Sequence, residues 1–167
     1  MEILVSNRRI QRKIRKLARE ISKDHKNSGC ILPPVMICIL NGSIHFFSDL
    51  TRSMSIDAEI DFIRLKSYNG QENSDDIVIT KDLELDLKGK RVYIVDDICD
   101  TGNTIIEALT MVNSRMPLEV KIVTLFKRKF GINLSEFYGF EIDDQWLIGY
   151  GFDDLGLKRN EKHVYKL

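Results

Sequence analysis

Apolar runs too short to be helices alternate along this chain with segments whose apolar residues recur every three or four positions. Val35–Leu40 and Val92–Val95 are apolar throughout, and Val120–Phe126 is mostly so. Their length and content of β-branched residues predict strands buried on both faces. Helical spacing appears in residues 6–25, where Ile10, Ile14, Leu17 and Ile21 share a face and Ser6 or Asn7 can cap the start. It returns at Ile44, Phe47, Leu50 and Met54, and at Ile105, Ala108, Leu109 and Val112, ahead of Pro117. Ala58–Arg64, Ile77–Thr80, Phe137–Ile142 and Trp146–Tyr150 read as further strands, with turns at 27–34 and 87–90. The pattern predicts one α/β domain over residues 1–167, with a mostly parallel central sheet flanked by helices.

Two of the predicted strands end in a way packing does not require. Val92–Val95 runs into Asp96, Asp97 and Asp100, then Thr101, Gly102, Asn103 and Thr104 just ahead of a helix. A small loop of hydroxyls and backbone N–H groups at a helix N-terminus holds an anion such as phosphate. Carboxylates beside it would repel bare phosphate, but they suit sugar hydroxyls, a proton or a metal ion. Together these features describe a site for a phosphorylated sugar. The alternative is a strand–turn–helix with Asp as turn and cap former, but two adjacent Asp residues exceed what a cap needs. Val35–Leu40 likewise leads through Asn41-Gly42-Ser43 into a helix, the same device on a smaller scale.

Composition narrows the class of protein. A chain of 167 residues that is 43% hydrophobic suits a single soluble domain. Its formal net charge is zero, which favours neither nucleic acid nor an acidic surface. The basic residues between Arg8 and Arg19 read as the solvated side of an ordinary surface helix. No apolar run approaches the ~20 residues that span a bilayer, and residues 1–5 are too short for a leader's apolar region. Cys30, Cys38 and Cys99 are unclustered and odd in number, suggesting neither disulfides nor zinc. The expected location is the cytoplasm. His25, His45 and His163 are scattered and are read neither as metal ligands nor as a catalytic base.

Val92–Thr104 resembles the phosphoribosyl pyrophosphate signature of the type I phosphoribosyltransferases, and further matches point to the hypoxanthine-guanine phosphoribosyltransferase family. The resemblance implies roles residue by residue. Asp96 and Asp97 hold the ribose hydroxyls and Thr101, Gly102, Asn103 and Thr104 hold the 5′-phosphate. Asn41 and Gly42 lie against the pyrophosphate, with Asn41 standing where family members often carry Lys or Arg. Arg159 approaches the pyrophosphate, and Ser67 and Tyr68 belong to a closing lid. Asp100 is the general base or acid at the purine N7. On the base side, Lys127 would bond the exocyclic oxygen, since an ammonium only donates and so selects 6-oxopurines over adenine. Trp146 would stack on the base, worth about 1–3 kcal/mol, Leu147 would meet its edge through the backbone, and Asp153 would sit beside base and metal. Residues 134–167 would form most of a C-terminal hood.

The implied reaction transfers the 5-phosphoribosyl group from phosphoribosyl pyrophosphate to hypoxanthine or guanine. The implied cofactor is Mg2+, near Asp96, Asp97 and Asp153. The expected assembly is a homodimer or homotetramer that engages neither nucleic acid nor membrane. Two rival readings fit less well. Signalling receiver domains also open with Val-Asp-Asp, but their acid pair comes near the start of the chain, whereas this one lies past the midpoint. A nucleic-acid-binding regulator on the same fold would rest on the basic helix alone.

Overall fold

The computed structural model describes residues 2–67 and 77–167. A six-stranded sheet has the order β4-β3-β2-β5-β6-β7, formed by Ile77–Lys81, Glu59–Ser67, Val35–Leu40, Arg91–Cys99, Glu119–Arg128 and Phe137–Ile142. β4 is antiparallel to β3, and every other pairing in this sheet is parallel. The six strands predicted for this sheet are all present. β5 and β6 run on past their apolar stretches, so Asp96 and Asp97 still lie within β5.

Side-chain alternation sorts the central strands onto two cores. Met36, Cys38, Tyr93, Val95, Val123 and Leu125 face α1 (Asn7–Asn27) and α2 (Ile44–Arg52). Val35, Ile37, Ile39, Val92, Ile94 and Ile122 face α3 (Asn103–Asn113). Helices therefore cover both faces, as the uninterrupted apolar runs require. Ser6 precedes α1 but makes no side-chain cap bond, and its carbonyl accepts the Ile10 amide instead.

A second sheet contains β1 (Glu2–Val5), β9 (Val164–Lys166) and β8 (Leu147–Ile148), all antiparallel neighbours. The first and last strands thus pair with each other, and β9 also pairs with β8. β7, which falls inside the expected 134–167 hood, is instead an edge strand of the main sheet, parallel to β6. The segment anticipated as a strand from Trp146 to Tyr150 keeps only Leu147 and Ile148, because Gly149, Tyr150 and Gly151 all take positive φ and turn the chain. Ser67 closes β3; Tyr68, the other expected lid residue, lies outside the described residues.

Candidate active site

The carboxyl ends of β2, β5 and β6 converge on two adjoining cavities, where ligands sit in open α/β sheets. The first, about 310 Å³, is lined by Gly42 after β2, by Asp96, Asp97 and Asp100, and by Thr101, Gly102 and Thr104 at the start of α3. Gly102 has φ +85 and serves as N-cap of α3. A side chain there would be strained, so glycine lets the loop turn tightly into the helix and leave first-turn amides available to an anion. Asn103 is exposed and its amide faces Thr101 Oγ1 at 3.5 Å.

Asp96 is buried and Asp97 half-buried. Asp96 Oδ1 accepts the Asp97 amide at 2.9 Å and Asp97 Oδ1 accepts the Ile98 amide at 2.8 Å. Burial raises Asp96 well above the usual carboxylate range, and the neighbouring Asp97 charge adds to it. Burial also pushes Asp97 up, to about 6, against the lowering influence of Asp96, the Ile98 amide and Arg159. Two acids that resist ionising together are a place where bound positive charge is strongly favoured.

Gly42 packs against this pair so closely that a β-carbon on it would lie 1.8 Å from Asp97 Oδ2. Asn41 is exposed and joins β2 through a cis peptide bond after Leu40.

The second cavity, about 200 Å³, shares Asp97, Ile98 and Asp100 with the first. Its other walls are Arg128, Trp146, Leu147, Phe152, Asp153 and Arg159. Trp146 is 64% exposed, leaving its ring free for a stacking partner, and Leu147 is buried in β8. Arg159 pairs with Asp153 at 2.6 Å and donates to the Gly151 carbonyl at 2.6 Å. Asp153 also accepts the Gly156 amide at 2.8 Å, so both its oxygens have partners. Among the described residues no group of three or more His, Cys, Asp or Glu is arranged to hold a metal ion.

Lys127 does not reach either cavity. Its ammonium pairs with Glu141 at 3.1 Å and lies 4.1 Å from the centre of the Tyr138 ring. Successive side chains of a strand point to opposite faces, so the cavity-lining cation at the end of β6 is the next residue, Arg128. Arg128 Nε donates to Asp100 at 3.1 Å, and Nη1 to the carbonyls of Asp143 and Gln145 at 2.8 and 2.9 Å. The sequence offered three successive cations, Lys127, Arg128 and Lys129, and a one-residue step decides which of them faces the site.

This fold and acid-and-amide pocket define a phosphoribosyl-transferring protein. The family model described as the phosphoribosyl transferase domain matches residues 1–154. The hypoxanthine phosphoribosyltransferase of Escherichia coli K12 is 35% identical, covering 100% of this chain and 95% of that protein. The hypoxanthine-guanine-xanthine phosphoribosyltransferase of Tritrichomonas foetus is 33% identical, over 95% of this chain and 86% of that protein. The crystal structure of a hypoxanthine phosphoribosyltransferase from Staphylococcus aureus superposes with a TM-score of 0.90 at 31% identity, covering 100% of this chain and 91% of that one. The chain belongs to the hypoxanthine-guanine phosphoribosyltransferase family of the type I phosphoribosyltransferases. It is an enzyme of purine salvage that transfers a phosphoribosyl group.

Proposed function

We propose that the two cavities bind phosphoribosyl pyrophosphate and a 6-oxopurine side by side, giving a purine nucleoside monophosphate and pyrophosphate. The observation that carries this is the shared wall of Asp97, Ile98 and Asp100, where a sugar in one cavity would meet a flat ring in the other. The purine N9 forms a bond to the anomeric carbon as the bond to the pyrophosphate oxygen breaks. Positive charge builds on the ribose, and the carboxylates of Asp96 and Asp97, held against its hydroxyls, favour it.

Amides and hydroxyls of Thr101, Gly102, Asn103 and Thr104 hold the 5′-phosphate, which turns remote binding energy into alignment. The backbone at Asn41 and Gly42, with Arg159, receives the pyrophosphate. Trp146 stacks on the base and the Leu147 backbone meets its edge. Asp100 takes a proton from the purine N7 as N9 attacks, and returns it in the reverse reaction. Arg128 replaces Lys127 as the donor to the 6-oxo group. A guanidinium has donors only, so it accepts hypoxanthine, guanine or xanthine and disfavours the amino group of adenine.

The raised pair Asp96 and Asp97 suits a hard divalent cation such as Mg2+, which is ordinarily held by one or two carboxylates together with substrate oxygens. Asp153, also on the wall of the second cavity, would supply a further carboxylate if it released Arg159. When bound, the ion offsets charge on the departing pyrophosphate. A cytosolic homodimer or homotetramer completes the reading. No helix among the described residues is long and apolar enough to cross a membrane. The test is a base-by-base assay with phosphoribosyl pyrophosphate and Mg2+. Hypoxanthine or guanine should be consumed at least tenfold faster than adenine, and preference for adenine would overturn the assignment.

A further inference from the structure

Both cavities share a support that lies behind them and touches neither substrate in the reading above. Asp49, in α2, gathers three donors. Its Oδ2 accepts the Tyr150 hydroxyl at 2.6 Å and the Gln11 side-chain amide at 2.5 Å, and its Oδ1 accepts Arg52 at 2.5 Å. Tyr150 is buried and has φ +54, an uncommon conformation for a residue with a β-carbon. It stands between Gly149 at φ +88 and Gly151 at φ +108. The turn is closed on itself by two backbone bonds, from the Gly149 amide to the Phe152 carbonyl at 2.9 Å and from the Phe152 amide to the Gly149 carbonyl at 3.2 Å. The Tyr150 and Gly151 amides also bond the Glu161 and Arg159 carbonyls, both at 2.9 Å, so the turn has a set shape, and the hydroxyl–carboxylate bond fixes where that shape sits against α2.

What this turn touches matters. A β-carbon on Gly151 would fall 1.8 Å from the Gly42 carbonyl oxygen, and one on Gly42 would fall 1.8 Å from Asp97 Oδ2. Gly151 therefore braces the loop at the pyrophosphate end of the first cavity. Its own carbonyl accepts Arg159, and the chain continues directly into Phe152 and Asp153 on the wall of the second. α2 meanwhile starts at Ile44, two residues after Gly42. One helix thus carries the loop at its start and grips the opposing turn through Asp49.

We propose that Asp49 and Tyr150 are positioning residues that set the two halves of the site against each other, so that one hydroxyl–carboxylate bond governs affinity on both sides. A bond with a purely structural role would change stability and leave the folded enzyme's affinities alone. The inference rests on the two-cavity reading above.

Tyr150→Phe keeps the ring and removes the hydroxyl. The KM values for phosphoribosyl pyrophosphate and for hypoxanthine should both rise roughly tenfold, with kcat within about threefold of the parent. Calorimetric titration of the folded variant with phosphoribosyl pyrophosphate and, separately, with IMP should show both weakened by a similar factor, independently of turnover. Asp49→Asn should act in the same direction and carries the test if Tyr150→Phe does not fold. The double variant should be little worse than the more severe single one, since the two groups share a bond. Arg52→Ala, at an exposed pair, should leave all constants within about twofold. The proposal is overturned if folded Tyr150→Phe binds both ligands within twofold of the parent, if only one ligand weakens, or if the two substitutions add. A parent that binds both ligands but transfers nothing would defeat the reaction reading and leave this test intact. A parent that binds neither would defeat both.

Discussion

Arg128 and Asp100 form an ion pair at 3.1 Å where the two cavities meet. The guanidinium is itself fixed by the carbonyls of Asp143 and Gln145. In the proposed reading, this ties the base at the purine N7 to the cation that would bond the 6-oxo group. Arg128→Ala should raise KM for hypoxanthine and guanine by roughly ten- to a hundredfold, the worth of a charged hydrogen bond. Lys127→Ala should stay within about threefold, because its ammonium is spent on Glu141 and Tyr138. Steady-state kinetics on the two variants decide between the neighbours, and the reverse ranking would restore Lys127.

Asp100→Asn preserves size but cannot take up a proton. Turnover should fall by about 10²–10⁴, the usual contribution of a general base. IMP affinity, measured by titration, should remain within a few-fold. Unchanged turnover would remove Asp100 from the chemistry.

Gly151→Ala places a methyl group 1.8 Å from a backbone oxygen at φ +108. Neither the oxygen nor the turn can yield cheaply, so the variant should lose about 1–3 kcal/mol in denaturant unfolding and bind phosphoribosyl pyrophosphate poorly. Gly29→Ala also has positive φ, +74, but nothing lies within 4 Å. It should cost about 1 kcal/mol and leave KM alone. Equal effects of the two on substrate affinity would show that the close approach is irrelevant.

Acid stability should depend on Asp24, far from the site at the other end of the sheet. Burial acts to raise its pKa, but bonds from Lys121 at 2.7 Å and Tyr93 at 2.7 Å, with the Arg91 charge, outweigh it and leave the group lowered. In the unfolded chain an Asp titrates near 4, by the usual reference. A carboxylate lowered in the native state stabilises it fully above that pH, and the contribution is lost as pH falls through the native value. Asp24→Asn should therefore cost about 2–4 kcal/mol at pH 7 and much less at pH 3. Urea melts at both values test this, and a pH-independent cost would refute it.

Thiol reactivity should separate the three cysteines. Burial pushes the Cys38 thiol up to about 12, beyond the opposing effect of its contact with Ser43. Cys99 is buried and its thiol donates to the Ile132 carbonyl at 3.1 Å. Cys30 alone is partly exposed. Ellman's reagent at pH 8 should titrate one thiol in the native protein and three in denaturant, since the thiolate is the reactive form.

The amino-acid sequence alone determined the six strands of the main sheet, the helices and the two strand–glycine–helix devices, because these depend on the local spacing of apolar residues and on which backbone conformations glycine permits. Asp96, Asp97 and the Thr101–Thr104 loop were legible for the same reason: three acids closing an apolar strand conflict with local packing. Tertiary structure decided the rest. Pairing of β1 with β9, the place of β7 in the main sheet, and the presence of Arg128 rather than Lys127 on the cavity wall depend on long-range register, and a one-residue step there reverses which face a side chain occupies. The Asp49–Tyr150 bond joins residues 101 positions apart, and only the folded chain brings such groups together.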